Sequence, residues 1–469
     1  MTSNFSLDPR VDRERFLQMA EEVAALAADW FDGEPDSPVL ARLDGPTLRK
    51  RIERDLPRDA GQWDEILDDV RQDIMPGLRR NGNPGFLAYV SASAEPVAAL
   101  ADLLVSALNQ NVTAWRSAPA AVEVERQVIG WLGEAIGYTG AAGILVSGGS
   151  AANLQGLCLA VARTDAAREQ LVVYVSEQTH FSIAKSARVL GIGHVRCLET
   201  DSDLRLRGRS VAEAIAADRA AGLVPCCIAA SVGTTNSGAI DALDELCEVA
   251  ASNGVWLHID GAYGAPALML ERYRSLRSFV ARADSISIDP HKWCYAPLDV
   301  GCLLTRHAEL QLEAFSADAD YVRVEQTESI EAFSFFDRGL ELSRRFRALK
   351  LWMMLRYIGF DRIGERIEEE ILLRERFDAA VQSHGELELL ASGLSVSCFR
   401  YRAGEGEDSD DLNREILESV LESGRFLLSP TRVRGMFALR ICVVNFRTDE
   451  DRLDELVSSV GVSGVRLRG

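Results

Sequence analysis

The sequence predicts an α/β fold, in which a mostly parallel β-sheet has helices on both faces. Strand-like apolar runs alternate with helical stretches between about residues 96 and 359, and polar or glycine-rich segments follow several of these runs. The chain has 469 residues, of which 47% are hydrophobic, so it is long enough for a large core and two or three domains.

The predicted strands and helices follow one another through this central region. Strands are predicted at residues 143–146, 171–175, 194–198, 226–231, 255–260, 285–289 and 301–305. Helices between them are predicted, among others, at residues 151–163, 181–190, 211–221 and 243–253. This βαβ order predicts parallel pairing, because each crossover helix returns the chain to start the next strand in the same direction.

The two ends of the chain show other patterns. Residues 16–95 largely follow a helical apolar period, and we expect the segment 1–95 to pack across a homodimer because it lacks a core of its own. A large domain is predicted at residues 96–360. A helix over residues 363–383, followed by strand-like alternation at 394–399 and 437–443, predicts a small α+β domain at residues 361–469.

The composition argues against several kinds of partner. The formal net charge is -20, whereas binding to nucleic acid or to an anionic membrane surface needs clustered Lys and Arg, so we expect neither. Nine Cys are scattered without the spacing of a metal site or a disulfide framework, and no segment has the pattern of an export signal or a membrane anchor. These features predict a cytoplasmic protein with reduced thiols and no bound metal.

The most informative motif is Asp289-Pro290-His291-Lys292-Trp293, which follows a predicted strand. A lone Pro-His-Lys is most often a polar turn, but a lysine at a strand end of an α/β sheet is also typical of a Schiff-base site for pyridoxal phosphate. Earlier in the chain, Asp260 ends another apolar strand. A carboxylate held against the ring nitrogen of this cofactor favours its protonated form, so the pair Lys292 and Asp260 supports the second interpretation.

Three further segments follow strand ends in the same region. Gly149 and Ser150 open a helix directly after a strand, where free backbone N–H groups and a hydroxyl can bind a phosphate, although such a segment alone is more often a simple turn and cap. His180 follows the next strand and can stack on a cofactor ring or cap a helix. Thr235 lies in a hydroxyl- and glycine-rich segment that suits contacts to the ring or phosphate, or is an ordinary βα loop.

Together these motifs resemble the group II pyridoxal-phosphate-dependent decarboxylases, the family of aromatic L-amino acid, histidine, glutamate and cysteine sulfinate decarboxylases. The resemblance covers nearly the whole chain. It implies the fold of the type I pyridoxal-phosphate-dependent aminotransferases and a homodimer with its active site at the subunit interface. The matching motifs, in order, are residues 74–77, 83–86, the Gly-Gly-Ser segment at 148–150, His180, and residues 260–262, 290–293 and 344–350.

The resemblance also implies roles for individual residues. Lys292 is the lysine that binds the cofactor, Asp260 contacts the pyridine nitrogen, and His180 and Ala262 lie against the two faces of the ring. The resemblance implies that Gly149, Ser150 and His291 hold the phosphate and that Thr235 lies near the ring or its oxygens. Ser343 matches the position from which the second subunit approaches the phosphate.

The resemblance extends to catalysis and to the substrate. Tyr321, in the acidic segment 316–331, matches the catalytic Tyr of the family's mobile loop, which delivers a proton and favours an amine product. The positions that match the substrate pocket are more polar than in the aromatic decarboxylases, and they are Asn81, Tyr89, Ala92, Asn111 and Thr113. We expect an L-amino acid decarboxylase with an aromatic substrate as the first option. The alternatives are an acidic or polar substrate, a decarboxylation-dependent aldehyde synthase and a non-catalytic scaffold.

Overall fold

The structure is a computed structural model that describes residues 6–33, 37–40, 43–316, 330–404 and 408–468. The larger of two sheets has seven strands. In chain order these are β1 (Ala142–Val146), β2 (Leu171–Ser176), β3 (His194–Leu198), β4 (Val224–Ser231), β5 (Trp256–Asp260), β6 (Ser285–Ile288) and β7 (Gly301–Thr305).

The order of strands across this sheet is β1-β7-β6-β5-β4-β2-β3. Pairing is parallel from β3 through β6, whereas β7 lies antiparallel between β6 and β1. Every residue of β2, β5 and β7 is buried, as expected for strands that are covered on both faces. The predicted α/β fold with a mostly parallel sheet is therefore confirmed.

Helices connect and surround the strands. Those packed against the large sheet include the helices Pro119–Ala135, Gly149–Ala162, Gly208–Ala220 and Leu243–Asn253. The α-helices of the described residues are α1 (Arg13–Asp32), α2 (Gly45–Ile52), α3 (Trp63–Asp69), α4 (Pro96–Leu108), α5 (Pro119–Ala135), α6 (Gly149–Ala162), α7 (Phe181–Val189), α8 (Gly208–Ala220), α9 (Leu243–Asn253), α10 (Arg277–Val280), α11 (Ala308–Phe315), α12 (Ala348–Ile358), α13 (Phe360–Ser383), α14 (Ser409–Glu422) and α15 (Glu450–Arg468).

A second, antiparallel sheet forms in the C-terminal region, in the order β10-β11-β9-β8. Helices α13, α14 and α15 pack against it, and together they bury a separate apolar cluster. The small C-terminal α+β unit is thus present, while the exact limits of the three predicted domains stay a prediction. The four strands are β8 (Leu387–Gly393), β9 (Val396–Tyr401), β10 (Ser429–Val433) and β11 (Met436–Cys442).

The N-terminal segment is helical over only part of the predicted length. Helix α1 has no buried residue. Helix α3 continues into a π-helical turn and then a 3-10 turn, which ends at Gly77. Residues 78–94 are not helical, because Pro84 and two glycines interrupt any helix there. A Cβ on Gly85 would lie 2.0 Å from the carbonyl oxygen of Arg425, so this stretch packs backbone against backbone. No helix in the described ranges is both long and apolar enough to cross a membrane.

Candidate active site

The candidate site is a cavity of about 380 Å³ at the carboxyl ends of the parallel strands of the large sheet. Loops after β1, β2, β4, β5 and β6 meet there, which is where an open α/β sheet places its ligand. The cavity wall includes most of the residues that the sequence predicted to contact a cofactor. These are Gly149, Ser150, His180, Thr235, Asp260, Ala262, His291 and Lys292.

One end of the cavity is the N-terminus of α6. The first amide groups of a helix have no partner within the helix, so this end can bind an anion. A Cβ on Gly149 would lie 2.7 Å from Asp289 Oδ2 and 2.8 Å from Ala262 Cβ. Only glycine therefore lets the backbone come this close to the opposite wall.

Lys292 lies in the turn that follows β6. Its Nζ is 2.9 Å from Asp289 Oδ2, and its N–H donates to the backbone carbonyl of Asp289 at 2.8 Å. The Asp289 side chain is 2% exposed, whereas that of Lys292 is 23% exposed. The amine is thus held at the cavity wall by a buried carboxylate and still faces open space.

Asp260, at the end of β5, is held by three hydrogen bonds. Its Oδ1 accepts from the Ala262 N–H and from Ser287 Oγ, each at 3.2 Å, and its Oδ2 accepts from Asn153 Nδ2 at 2.9 Å. Ser287 lies directly across from Asp260 on β6, and Asn153 lies one turn into α6. These donors fix the orientation of a carboxylate that is only 8% exposed.

A chain of buried hydrogen bonds leads from the core to Asp260. Trp256 Nε1 donates to Ser285 Oγ at 2.9 Å, Ser285 Oγ lies 2.8 Å from His258 Nδ1, and His258 Nε2 lies 3.0 Å from Asn153 Oδ1. Because the Asn153 amide donates to Asp260, its Oδ1 must accept, so His258 carries its proton on Nε2. All the donors then point towards Asp260. Burial lowers the pKa of His258 to about 4, which keeps its ring neutral.

Two further imidazoles face the cavity. The N–H of Ser182 donates to His180 Nδ1 at 3.4 Å, and the N–H of Val300 donates to His291 Nδ1 at 3.2 Å. In the neutral form both rings therefore carry the proton on Nε2. Burial lowers the pKa of His180, against the opposing effect of Asp260, and burial likewise lowers the pKa of His291. Uncharged rings of this kind suit stacking and hydrogen-bond donation.

Comparison with known proteins agrees with this geometry. Residues 46–402 match the family model described as the pyridoxal-dependent decarboxylase conserved domain. The chain belongs to this family. An aromatic-L-amino-acid decarboxylase of Bacillus atrophaeus is 32% identical over 96% of this chain and 96% of its own. A phenylacetaldehyde synthase of Petunia hybrida is 31% identical over 95% of this chain and 93% of its own.

Solved structures give the same assignment for this decarboxylase. The crystal structure of Oryza sativa TDC with PLP and tryptamine superposes with a TM-score of 0.93, at 27% identity, over 99% of this chain and 100% of that chain. The cofactor of the family is pyridoxal phosphate, and the cavity fits it. The glycine at the start of α6, the amine of Lys292 and the oriented carboxylate of Asp260 offer an anion cradle, a carbonyl-binding amine and a partner for a ring N–H.

Other predicted site residues of the decarboxylase lie away from this cavity. Ser343 is exposed, and Asn111 Oδ1 accepts from the Arg344 N–H at 2.7 Å. The carbonyl of Thr113 accepts from the Phe335 N–H at 2.8 Å, and Tyr89 is 47% exposed. None of these four residues lines the cofactor cavity of one chain, and their predicted roles stay predictions. Tyr321 lies outside the described residues.

Asn81 and Ala92 line a neighbouring cavity of about 250 Å³, which shares His291 with the cofactor cavity of the decarboxylase. The buried partners of Asp260 had no predicted role. Part of that network was visible in the sequence, because His258 and Asp260 are two positions apart on one strand and therefore point to the same face. No sequence pattern indicated the contact of His258 with Asn153, which lies 105 positions away in the chain.

Proposed function

We propose that this decarboxylase converts an L-amino acid into the primary amine and CO2 at the cavity around Lys292. The supporting observation is that Lys292 and the firmly held carboxylate of Asp260 line one cavity whose far end is the N-terminus of α6. Bound pyridoxal phosphate supplies an electron sink for the electron pair that the departing carboxylate leaves behind.

Different residues around the cavity would contact different parts of the cofactor. Lys292 would bind its aldehyde carbon, and Asp260 its ring nitrogen. The neutral His180 would cover one face of the ring and Ala262 the other, which excludes water from the reacting bonds. Contacts to the phosphate or to the ring oxygens would come from Gly149, Ser150, His291 and Thr235.

Substitution of Lys292 tests this proposal. We expect Lys292→Ala to remove the visible absorption band of the covalently bound cofactor and to reduce CO2 release to background, because no other lysine lines the cavity in the described residues. Lys185→Ala, on the exposed surface of α7, is the matched control and should keep both signals. Steady CO2 release by Lys292→Ala would contradict the assignment of the site.

A second candidate function is that of an aldehyde synthase, because the Petunia hybrida relative is a phenylacetaldehyde synthase. We propose amine formation first, since the segment that resembles the family's catalytic loop has Tyr321, a proton donor, at the matching position. The two functions differ in their other products. Ammonia and peroxide released in step with CO2 would establish the aldehyde synthase, whereas an amine equimolar with CO2 would establish the decarboxylase.

We also propose that the enzyme is a homodimer. Helix α4 buries its small face, Ala98, Ala101 and Val105, and leaves a second apolar face open to solvent. A helix that is apolar on both faces needs a second partner. The leucines of this open face are 47% to 59% exposed, and they are Leu100, Leu103, Leu104 and Leu108. A second copy of the chain would cover them.

We propose a cytoplasmic location for the enzyme. All nine cysteines are free thiols, and seven of them are buried. Free thiols in this number suit a reducing compartment. Cell fractionation followed by immunoblotting would test the location, and recovery of the protein outside the cytoplasmic fraction would contradict it.

A further inference from the structure

A second cavity adjoins the cofactor cavity next to His291. It has a volume of about 250 Å³ and adjoins the cofactor cavity through the imidazole that both share. An amino acid bound through its amine at the position of Lys292 must extend its side chain out of the cofactor cavity. The chemistry of the adjoining walls therefore selects the side chain.

Two arginines give these walls positive charge, and one of them, Arg447, also lines the outer neighbouring cavity, whose walls include Asp32, Asp449 and Asp451. Arg79 and Arg447 both line the cavity, and none of its described lining residues is Asp or Glu. Within the described chain, neither guanidinium has a carboxylate oxygen within 4.0 Å. Each contacts an aromatic ring instead, Arg79 over Tyr89 at 5.4 Å and Arg447 over Phe446 at 5.9 Å. In a chain with 71 acidic and 51 basic side chains, two arginines without an acid at one cavity are unexpected from composition alone.

A buried amide side chain fixes the backbone of Arg447 in this wall. Asn445 is fully buried, and its Oδ1 accepts from the Arg447 N–H at 3.1 Å. Its Nδ2 donates to the carbonyl oxygens of Asn81 at 3.3 Å and Asn83 at 2.8 Å, which ties the opposite wall to the same residue. A Cβ on Gly82 would lie 3.8 Å from Arg447 Nη1, so the guanidinium lies close to this glycine.

The remaining polar wall consists of hydroxyl and amide groups. Asn81 Nδ2 donates to Ser91 Oγ at 3.2 Å, and Ser93 also lines the cavity. Hydrogen-bond donors and two guanidinium groups match an oxyanion, since an arginine forms paired, charge-assisted hydrogen bonds with a carboxylate. An aromatic side chain would leave these hydrogen-bond donors without partners. It is also not needed for stacking, because the guanidinium groups of Arg79 and Arg447 already lie over the rings of Tyr89 and Phe446.

We propose that this cavity selects an L-amino acid with an acidic side chain, with Arg447 as the main residue that binds the side-chain oxyanion and Arg79 as the second. The proposal rests on the proposed decarboxylation, and it opposes the aromatic substrate that the resemblance favours. A carboxylate and a sulfinate offer the same oxyanion chemistry. L-aspartate, L-glutamate and L-cysteine sulfinate are therefore the probes.

The first experiment measures CO2 release by the enzyme loaded with cofactor. We expect kcat/KM for at least one of the three acidic probes to exceed that for L-tyrosine, L-tryptophan and L-DOPA by roughly tenfold or more. A higher kcat/KM for an aromatic amino acid would overturn the acidic specificity and leave the proposed function intact. No CO2 from any amino acid, with the cofactor band present, would instead overturn the proposed function.

The second experiment compares Arg447, which lines both the cavity beside His291 and the outer neighbouring cavity, with Arg80, which lines the outer one. We expect Arg447→Met to raise KM for the acidic substrate roughly 10- to 100-fold with a smaller change in kcat, and Arg447→Lys to restore part of the loss. Arg80→Met is the matched control, because Arg80 lies over Trp30 at 5.3 Å, lines only the outer neighbouring cavity and should leave KM unchanged.

A binding measurement distinguishes loss of recognition from loss of folding. Glutarate, a dicarboxylate without an amine, should quench the fluorescence of Trp30, which lines the same cavity, with a dissociation constant that rises roughly tenfold or more in Arg447→Met. The cofactor absorption band should stay unchanged in this variant. An unchanged KM and an unchanged glutarate dissociation constant in Arg447→Met would overturn the proposal.

Discussion

At the scale of single residues, the site depends on how Asp260 is held. Its partner Asn153 is itself oriented by His258, so the position of one carboxylate is fixed through two buried residues. The sequence indicated Lys292 and Asp260, because both follow strand ends and belong to a recognisable motif. The role of Asn153 could not be predicted in this way, since it depends on a contact between α6 and β5 that only the folded chain creates.

We expect His258→Phe to weaken both the fold and the binding of the cofactor. Phe fills a similar space but has no N–H, so Asn153 Oδ1 loses its donor, and the free energy of unfolding should fall by about 1–3 kcal/mol. The dissociation constant for pyridoxal phosphate should rise roughly tenfold as Asp260 loses its fixed partner.

Chemical denaturation and a fluorescence titration with the cofactor measure the two effects. Ser285→Ala is the control, because it removes the hydroxyl behind His258 but keeps the groups that link His258, Asn153 and Asp260, and it should change the cofactor affinity less. If the affinity of His258→Phe matched that of the unmodified enzyme, His258 would have a packing role alone.

At the scale of elements, α13 connects the Lys292 turn to the small sheet. Glu370 on this helix accepts hydrogen bonds from Trp293 Nε1 and from Tyr295 Oη, and Asp378, two turns later, accepts from Ser397 Oγ on β9. The sequence predicted most of this helix as a charged helical stretch over residues 363–383. It did not predict β8 or β10, because an edge strand such as β10 is partly exposed and contains Pro430, which weakens the strand pattern.

We expect the stability of the enzyme to depend on the protonation of Glu370. Burial raises the pKa of Glu370 from 4.5 to about 8, against the lowering effect of Trp293 and Arg366. The protonated Glu370 contributes on the order of 4 kcal/mol to the free energy of unfolding. This contribution is fully present below pH 4.5 and is lost as the pH rises through 8, because the unfolded chain releases the proton at a lower pH than the folded chain does.

Glu370→Gln should remove this dependence. Thermal unfolding at pH 5, 7 and 9 would therefore show the variant gaining stability relative to the unmodified enzyme as the pH rises. The neighbouring Glu369→Gln, whose side chain is 45% exposed, should show no such gain. A stability difference that stayed constant from pH 5 to pH 9 would be inconsistent with a protonated Glu370.

At the scale of the whole molecule, the fold class could be predicted from the alternation of strands and helices in the sequence. The exposed apolar surfaces could not be predicted from this pattern. The leucines of α4 look like ordinary core residues in the sequence. Only the fold shows that its smaller residues are buried and its leucines remain open. The predicted positions Ser343, Asn111 and Thr113 also lie outside the cofactor cavity of one chain. Both observations suit an enzyme that is completed by a second subunit.

We expect the double substitution Leu100→Glu and Leu104→Glu to weaken dimer formation by roughly 100-fold or more, because it removes four leucines that the proposed dimer would bury and places four like charges at its two-fold interface. Sedimentation velocity over a concentration series measures the effect. Leu372→Glu on α13, at a leucine that is 43% exposed elsewhere, is the control and should leave the dimer intact. An unmodified enzyme that sediments as a monomer at all concentrations would contradict the proposed dimer.

The hydrogen-bond chain through His258 also provides a ring proton whose NMR signal can report on cofactor binding. The ring proton on Nε2 is fully buried and hydrogen-bonded to Asn153, so it should exchange slowly with deuterium and give a separate proton NMR line far downfield of the amide region. Since Asn153 also contacts Asp260, this line should shift when the cofactor binds. One buried proton would then report on the loading of the site without any substrate or optical label.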